Sequence, residues 1–242
     1  LSAVARITEK REYSRIVRIN HQRTVTVVGD IDSTRGNTGQ ILKHTKQNFL
    51  TDLQKRYPKL VIGIEGEVKS DNETSGSVLK GFILGIIGVY LLLSLQFENY
   101  REPIMVLINI PLALIGVIWG HYFMGLDMGL PSMIGFVALA GVVVNDSILM
   151  VEYVKKHSAE GLTMHKAAKE AVKDRFRAVF LTSITTVAGM IPILSETSPQ
   201  AQILVPLVAS VVFGMMAATL LILIVLPASY AILDDFGTTK LG

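Results

Sequence analysis

Hydrophobic and polar positions follow different patterns in two parts of the chain. Up to about residue 76 charged and apolar residues are mixed, and beyond it apolar runs of about 20 residues follow one another with few charges. Such runs are typical of membrane-spanning helices. The pattern predicts a soluble segment at residues 1–76 and a transmembrane domain at 77–242. The predicted spans are residues 78–97, 103–123, 130–153, 178–194 and 203–233.

The soluble segment has the pattern of strands around one helix. Three stretches rich in β-branched side chains predict strands, at residues 15–20, 24–30 and 60–66. Residues 38–56 predict a helix, with Thr38 as its N-cap and Pro58 beyond its end. Its predicted apolar face consists of Ile41, Leu42, Thr45, Phe49 and Leu53. This order predicts a βαβ unit in an α/β layer, which is too small to fold alone and is expected to pack on partners outside this sequence.

The loops between the predicted spans differ in positive charge. Segment 155–177 contains seven Lys and Arg residues, whereas 124–129 and 196–202 contain none. Because positively charged loops stay in the cytoplasm, segment 155–177 and the C-terminus are predicted to be cytoplasmic and the soluble segment to lie outside.

Residues 163–174, within the basic segment, predict a short amphipathic helix along the inner membrane surface. Leu162, Ala167 and Val172 would then face lipid. The alternative is a plain connector between two spans.

Composition excludes several classes of protein. The chain has no cysteine, which excludes a disulfide framework, a thiol nucleophile and a cysteine metal site. The net charge of +3 is small and the basic residues form no patch with aromatic residues, so no nucleic acid is expected as a partner. The sequence has neither a phosphate-binding Gly-Lys-Ser/Thr loop nor a nucleophile–base pair, so we expect neither an enzyme nor a cofactor. Because the chain starts at Leu1 without Met or a signal peptide, we expect it to be part of a longer polypeptide.

Asp146 is the principal candidate for chemistry, because it lies in the middle of the third predicted span. A carboxyl group in an apolar run has to be paired, hydrated or protonated, since its charge is costly there. A carboxyl that gains and loses a proton is what proton-driven transport requires, and Asn145 and Ser147 add neutral hydrogen-bonding groups beside it. The alternative is a structural Asp that hydrogen-bonds to a neighbouring helix.

A polar stripe in the fourth span is the second candidate. Arg175 and Thr182 are about two helical turns apart and lie near one face. Hydroxyl residues continue the stretch at Ser183, Thr185 and Thr186. Such a stripe suits the wall of a hydrated path next to Asp146. The alternative is that the hydroxyl groups bond to carbonyl groups of their own helix, while Arg175 anchors the helix at the headgroups.

Other residues in the spans predict structural roles. Asn109 and Pro111 predict a bend in the second span. Glu152 is expected to reach the basic loop. Three residues predict an interfacial belt rather than a metal site: Trp119, His121 and Tyr122. Glycines that permit close helix approach are Gly81, Gly85, Gly88, Gly116 and Gly120.

Several runs of the sequence resemble resistance–nodulation–division (RND) efflux pumps. Residues 94–107 (SLQFENYREPIMVL) resemble the turn between the eighth and ninth spans, and 111–116 (PLALIG) resemble the ninth span. Residues 141–149 (GVVVNDSIL) resemble the tenth span and 175–183 (RFRAVFLTS) the eleventh. Residues 225–230 (VLPASY) resemble the end of the twelfth span, so the resemblance runs through the whole chain in order.

The resemblance implies a membrane all-α bundle of five transmembrane helices, preceded by part of a ferredoxin-like porter subdomain in the periplasm. It implies the C-terminal part of a proton antiporter that exports organic or hydrophobic compounds, as in multidrug resistance, from the inner membrane of a Gram-negative bacterium. The expected partners are the rest of the same polypeptide, further copies in a homotrimer, a periplasmic adaptor protein, an outer-membrane channel and the lipid bilayer. The residues implied for the proton relay are Asn145, Asp146, Arg175 and Thr182.

The third span departs from the family pattern. Asn145 stands where the best-known drug pumps have a Lys, so the charge balance of the relay must differ, with Asp146 following. Heavy-metal members usually have a Glu in this span that has no counterpart here, which favours organic substrates over metal ions. Two alternatives stay open: a superfamily relative that moves lipids or aids protein export, and a truncated, non-transporting membrane scaffold.

Overall fold

The computed structural model describes four stretches of the chain: residues 17–19, 22–29, 38–64 and 67–235. The chain divides into two compact units, Leu1–Ile62 and Gly63–Gly242. The predicted boundary between the soluble segment and the membrane domain, at residues 76 and 77, falls inside a long helix that begins at Glu67. Where along this helix the membrane begins stays a prediction.

A hairpin and a helix make up the described part of the first unit. Its elements are β1 (Val17–Ile19), β2 (Gln22–Thr24), α1 (Thr38–His44), a π-helical segment (Thr45–Leu50) and α2 (Thr51–Arg56). Strands β1 and β2 pair in antiparallel register, with Val17 opposite Thr24. The three helical elements are continuous and confirm the helix predicted at residues 38–56, which ends shortly before Pro58 as expected.

The two other predicted strands, at residues 24–30 and 60–66, do not form beyond β2. The structure describes residues 25–29 and 60–64 of these stretches, and neither is a strand. A strand is stable only beside another strand that pairs its backbone groups, and the described residues offer only the short β1–β2 hairpin. Val27 and Val61 are accordingly 91% and 78% exposed. The βαβ unit is therefore not seen within these residues, and the ferredoxin-like subdomain stays a prediction.

The second unit contains the five predicted spans. Its helices are α3 (Glu67–Phe97), α4 (Glu102–Leu107), α5 (Asn109–Met124), α6 (Leu130–Ala159), α7 (Met164–Leu194) and α8 (Pro199–Asp235). Helices α4 and α5 form one interrupted span, so five segments are long and apolar enough to cross a membrane. The interruption lies at the predicted bend, because Pro111 has no N–H for the carbonyl of Leu107. Next to this break, the Asn109 side chain donates to the carbonyls of Met105 and Val106, at 3.2 and 3.3 Å.

Helix α8 packs along α5, α6 and α7 and forms the centre of the bundle. A Cβ atom at Gly116 or Gly120 would overlap Phe213 of α8, and one at Gly116 would also overlap Ala217. These two glycines therefore permit close helix approach, as predicted. The three glycines of α3 with the same predicted role, Gly81, Gly85 and Gly88, face open space among the described residues, so their role stays a prediction.

The prediction of a separate amphipathic helix at residues 163–174 is wrong. These residues form the first turns of α7, which continues without a break into the fourth span. Ala167 is completely buried, and Leu162 and Val172 pack against the same core instead of facing lipid. No Gly or Pro interrupts this alanine-rich stretch, so one helix can carry both the surface turns and the span.

Candidate functional site

Asp146 lies near the middle of α6 and is half-buried. Its neighbours in the chain point in different directions, because successive helical residues are rotated by about 100°. Ser147 is completely buried in the bundle, whereas Asn145 is exposed on its outside. The carboxyl group of Asp146 therefore lies at the edge between the packed core and a face of α6 that the described helices leave open.

Arg175 lies on α7 beside this edge. Its guanidinium is close enough to Asp146 for their charges to attract, although no salt bridge within 4.0 Å joins them. The guanidinium carbon lies 5.2 Å from the ring centre of Tyr153, in a cation–π contact. Within the described stretches, no hydrogen-bond acceptor reaches its buried Nε. Arg175 thus supplies a positive charge near Asp146 without forming a salt bridge with it.

The hydroxyl groups of the polar stripe bond to their own helix. Thr182 donates to the carbonyls of Ala178 and Val179, at 3.1 and 2.9 Å. Thr185 and Thr186 both donate to the carbonyl of Thr182, at 3.0 and 2.8 Å. These contacts agree with the alternative interpretation of the stripe, since back-bonding satisfies a hydroxyl group inside a membrane helix. A relay role of Thr182 stays a prediction.

Ser183 does not share the face of Thr182. It is buried and bonds to Thr219 of α8 through their hydroxyl oxygens, which are 2.6 Å apart. Thr219 also donates to the carbonyl of Met215 at 2.8 Å. Ser183 therefore joins α7 to α8, and only its three threonine neighbours border the open face.

Asn109 is a buried polar residue whose role the sequence did not reveal. Besides filling the break before α5, its Nδ2 donates to Ser147 Oγ of α6 at 3.1 Å. Its Oδ1 is buried, and no donor among the described residues reaches it. The bond fixes α5 against the residue that follows Asp146. The signal in the sequence was a single amide in a long apolar run, which does not reveal its partner.

A buried ion pair closes the end of the bundle at which α3 turns into α4. Lys155 Nζ of α6 lies 3.0 Å from Glu102 Oε2, and it also donates to the carbonyl of Phe97 at 3.2 Å. Glu102 is only 3% exposed. The sequence did not predict this pair, because the two residues lie in different loops of the predicted topology.

Two structural predictions need correction. Glu152 does not bind the basic loop; it accepts a hydrogen bond from Gln96 of α3 at 3.1 Å. His121 is buried rather than interfacial, because its ring nitrogens lie 2.8 Å from Ser132 Oγ and 2.9 Å from the carbonyl of Val117. Trp119 and Tyr122, in contrast, are exposed and pack edge to face, and their place in an interfacial belt stays a prediction.

Comparisons of the sequence identify related proteins. A family model described as the AcrB/AcrD/AcrF family matches residues 1–234. The swarming motility protein SwrC of Bacillus subtilis is 27% identical over 97% of this chain and 25% of its own length. The cobalt-zinc-cadmium resistance protein CzcA of Cupriavidus metallidurans is 30% identical over 61% of this chain and 14% of its own. The multidrug resistance protein MdtC of Pectobacterium atrosepticum is 26% identical over 72% of this chain and 17% of its own.

The fold also matches solved structures. A crystal structure of a heavy metal efflux pump superposes with a TM-score of 0.65 at 24% identity, over 81% of this chain and 19% of the pump. This chain thus spans about a quarter or less of the length of the curated relatives it matches. Since the family match covers nearly all of its residues and its helices are long enough to cross a bilayer, it is a multi-pass inner-membrane protein. The chain belongs to the AcrB/AcrD/AcrF family of RND efflux transporters.

Proposed function

We propose that this chain is the C-terminal part of a transporter that exports small organic or hydrophobic compounds in exchange for protons. Its soluble segment lies in the periplasm and its C-terminus in the cytoplasm. It works with the rest of its polypeptide, as a homotrimer that joins a periplasmic adaptor protein and an outer-membrane channel. These statements rest on the family and on the positively charged segment 155–177.

One observation carries the proposal: an amide and a carboxyl group lie at an uncovered face of α6, in the middle of an apolar span. Asn145 is exposed and Asp146 is half-buried, and Thr182 and Thr185 of the neighbouring α7 are exposed as well. The amide and a charged carboxylate are unfavourable against lipid, because the hydrocarbon offers no hydrogen bonds, whereas the threonine hydroxyls already bond to their own helix. We therefore propose that another part of the transporter, with polar groups of its own, covers this face and encloses a hydrated path.

Each residue has a part in the proposed relay. Asp146 carries the proton. In its ionised form it attracts Arg175, and in its protonated form this attraction is lost, so that protonation changes the force between α6 and α7. Asn145 and Thr182 line the path with neutral groups that hydrogen-bond to water. Binding of a proton to Asp146 thus changes the interaction between the two helices.

Export of metal ions is the second candidate, because CzcA and the crystallised pump are a metal resistance protein and a heavy metal pump by their names. The proposal of organic substrates rests on the apolar run of α6, which contains Asn145 and Asp146 but no glutamate before Glu152. Both candidates use the same proton site, so transport assays have to separate them.

The test is Asp146→Asn in the complete transporter, produced in cells that lack other efflux pumps. We expect resistance to organic dyes and drugs to fall to the level of cells without the transporter, while trimers form normally. The change removes the titrating proton and keeps the size of the side chain. Resistance to cobalt and zinc ions is measured in the same cells.

Asp52→Asn is the matched control, because Asp52 is an exposed carboxylate on α2, outside the spans. It should leave resistance unchanged. If Asp146→Asn leaves the resistance to dyes and to metal ions unchanged, Asp146 has no part in the relay. Loss of metal resistance alone would replace the organic substrates by metal ions. A transporter that gives neither resistance even without the change would favour the lipid-moving, protein-export or scaffold alternatives.

A further inference from the structure

An apolar groove with basic residues along one side lies between the first turns of α7 and the last turns of α8. Its volume is about 500 Å³. Helix α8 lines it with Pro227, Ala228 and Ala231, and α7 lines it with Ala168, Val172 and the basic residues His165, Lys169 and Lys173. The surface inside the groove is almost wholly apolar, so the lysines border it through their carbon chains and carry their charges at its rim.

The direction of the basic side chains is fixed by the packing of α7. His165, Lys169 and Lys173 are four residues apart and form one row on the helix. Met164 and Ala171 on another face are buried in the bundle core. Helix α7 therefore cannot turn its basic row away from the groove without exposing that core.

The acidic residues of α7 leave the charges of Lys169 and Lys173 largely uncompensated. Lys173 contacts Glu170 at 2.6 Å, but both side chains are well exposed, and such pairs are weak. Asp174 is held by His157 of α6 at 2.9 Å. Lys169 is exposed, and the structure shows no ion pair for it within the stretches described. The two lysines therefore carry positive charge that an anion can use.

The depth of the groove matches the headgroup layer. Lys173 lies five residues before the predicted start of the span at residue 178, about 8 Å along α7, which is the depth of the headgroup layer. Lys169 lies about 6 Å further out, and its flexible side chain can reach back toward the lipid phosphates. The small side chains of α8 leave room beside them for the glycerol and the first methylenes of a lipid.

We propose that this groove binds the headgroup of an anionic phospholipid, with Lys169 and Lys173 contacting the phosphate oxygens. Basic pockets between transmembrane helices at this level suit such headgroups. The bound lipid fills the space between α7 and α8 and holds the first turns of α7 in place. The inference requires only that the helices span a bilayer and does not depend on the proposed substrate or proton relay.

The test measures the affinity of the purified complete transporter for lipids. The transporter in nonionic detergent is titrated with dioctanoyl phosphatidylglycerol, dioctanoyl phosphatidylcholine or glycerol phosphate, and the complexes are quantified by native mass spectrometry. We expect phosphatidylglycerol to bind about tenfold more tightly than phosphatidylcholine, and Lys169→Gln/Lys173→Gln to lose about tenfold of that affinity. Ala231→Glu should have a similar effect, because it puts a carboxylate into the groove while every lysine remains.

Lys156→Gln/Lys166→Gln is the matched control, since it removes two positive charges nearby from residues that do not line the groove. It should change the affinity less than twofold, and circular dichroism should show equal helix content in all variants. Equal binding of the two lipids, or equal losses in the groove and control variants, would overturn the proposal. Binding of glycerol phosphate as tight as that of phosphatidylglycerol would overturn the lipid in favour of a free phosphate compound.

Discussion

Glu102 makes the turn between α3 and α4 depend on a single lysine. The carboxylate is buried, and Lys155 of α6 balances its charge at 3.0 Å. Because Lys155 also donates to the carbonyl of Phe97, the last residue of α3, one ammonium group connects three helices. A buried charge that loses its partner is strongly destabilising, whereas replacing both charges is often nearly neutral.

At this residue pair we predict that Lys155→Met destabilises the bundle by about 2 kcal/mol, less than for a fully buried pair because Lys155 is 31% exposed. The double change Glu102→Gln/Lys155→Met should recover about half of the loss, since no carboxylate then remains buried alone. Unfolding in mixed micelles of a nonionic detergent and sodium dodecyl sulfate measures both values. A double variant less stable than Lys155→Met would show that the charge is not the cause.

Helix contacts of α5 and α3 differ although both helices carry repeated glycines. Gly116 and Gly120 touch α8, where a Cβ would meet the backbone and side chain of Phe213. Gly81 and Gly85 of α3 meet no atom within 4 Å. Repeated glycines therefore permit close helix packing in α5, whereas those of α3 make no packing contact among the described residues.

The element-scale prediction is that Gly116→Ala lowers the stability of the bundle by about 2 kcal/mol, because α8 has to move away from α5. Gly81→Ala serves as the control and should leave stability unchanged or raise it by up to about 1 kcal/mol, because Ala favours a helix more than Gly does. Both changes add one methyl group to an apolar helix, so only the contact differs. Similar losses in the same mixed-micelle titration would contradict the close approach of α5 and α8.

The helices could be predicted from the sequence, and most of their contacts could not. Apolar runs fix the spans, because their length has to match the bilayer. Asp146 stood out because a charge in such a run is rare. Ser183 faces Thr219, and not the stripe of Thr182, because of the way α7 is rotated about its axis relative to α8. The sequence does not determine this rotation, because α7 could pack on α8 with any of its apolar faces. The strand predicted at 60–66 does not form over its described residues, 60–64, because a strand needs a neighbouring strand to pair with and the described residues offer none there.

As a whole molecule, the bundle has a packed centre and two open helices. In the most apolar stretch of α8, 56% of the residues are buried, against 6% for α3 and 11% for α7. Apolar side chains on such faces suit lipid or another helix equally well. Asn145 and Asp146 of α6 suit neither lipid nor an apolar helix, which distinguishes their face from the rest of the surface.

Two neighbouring positions on α7 test whether water reaches this face. Thr182 and Leu181 are both exposed in this chain, Leu181 to 61%, but they point about 100° apart. The chain contains no cysteine, so single cysteines at these positions report their own surroundings.

The experiment uses the complete transporter, with any other cysteines replaced. We expect Thr182→Cys to react with a small water-soluble methanethiosulfonate at least about tenfold faster than Leu181→Cys, because the reagent attacks the thiolate, which forms only in contact with water. At constant pH, fixing Asp146 in an uncharged form as Asp146→Asn should alter the rate at Thr182→Cys and leave Leu181→Cys unchanged, since only the former lies on the proposed path. Equal, slow reactions at both positions would mean that lipid or apolar protein covers the face, and the proton would then have to reach Asp146 from another side.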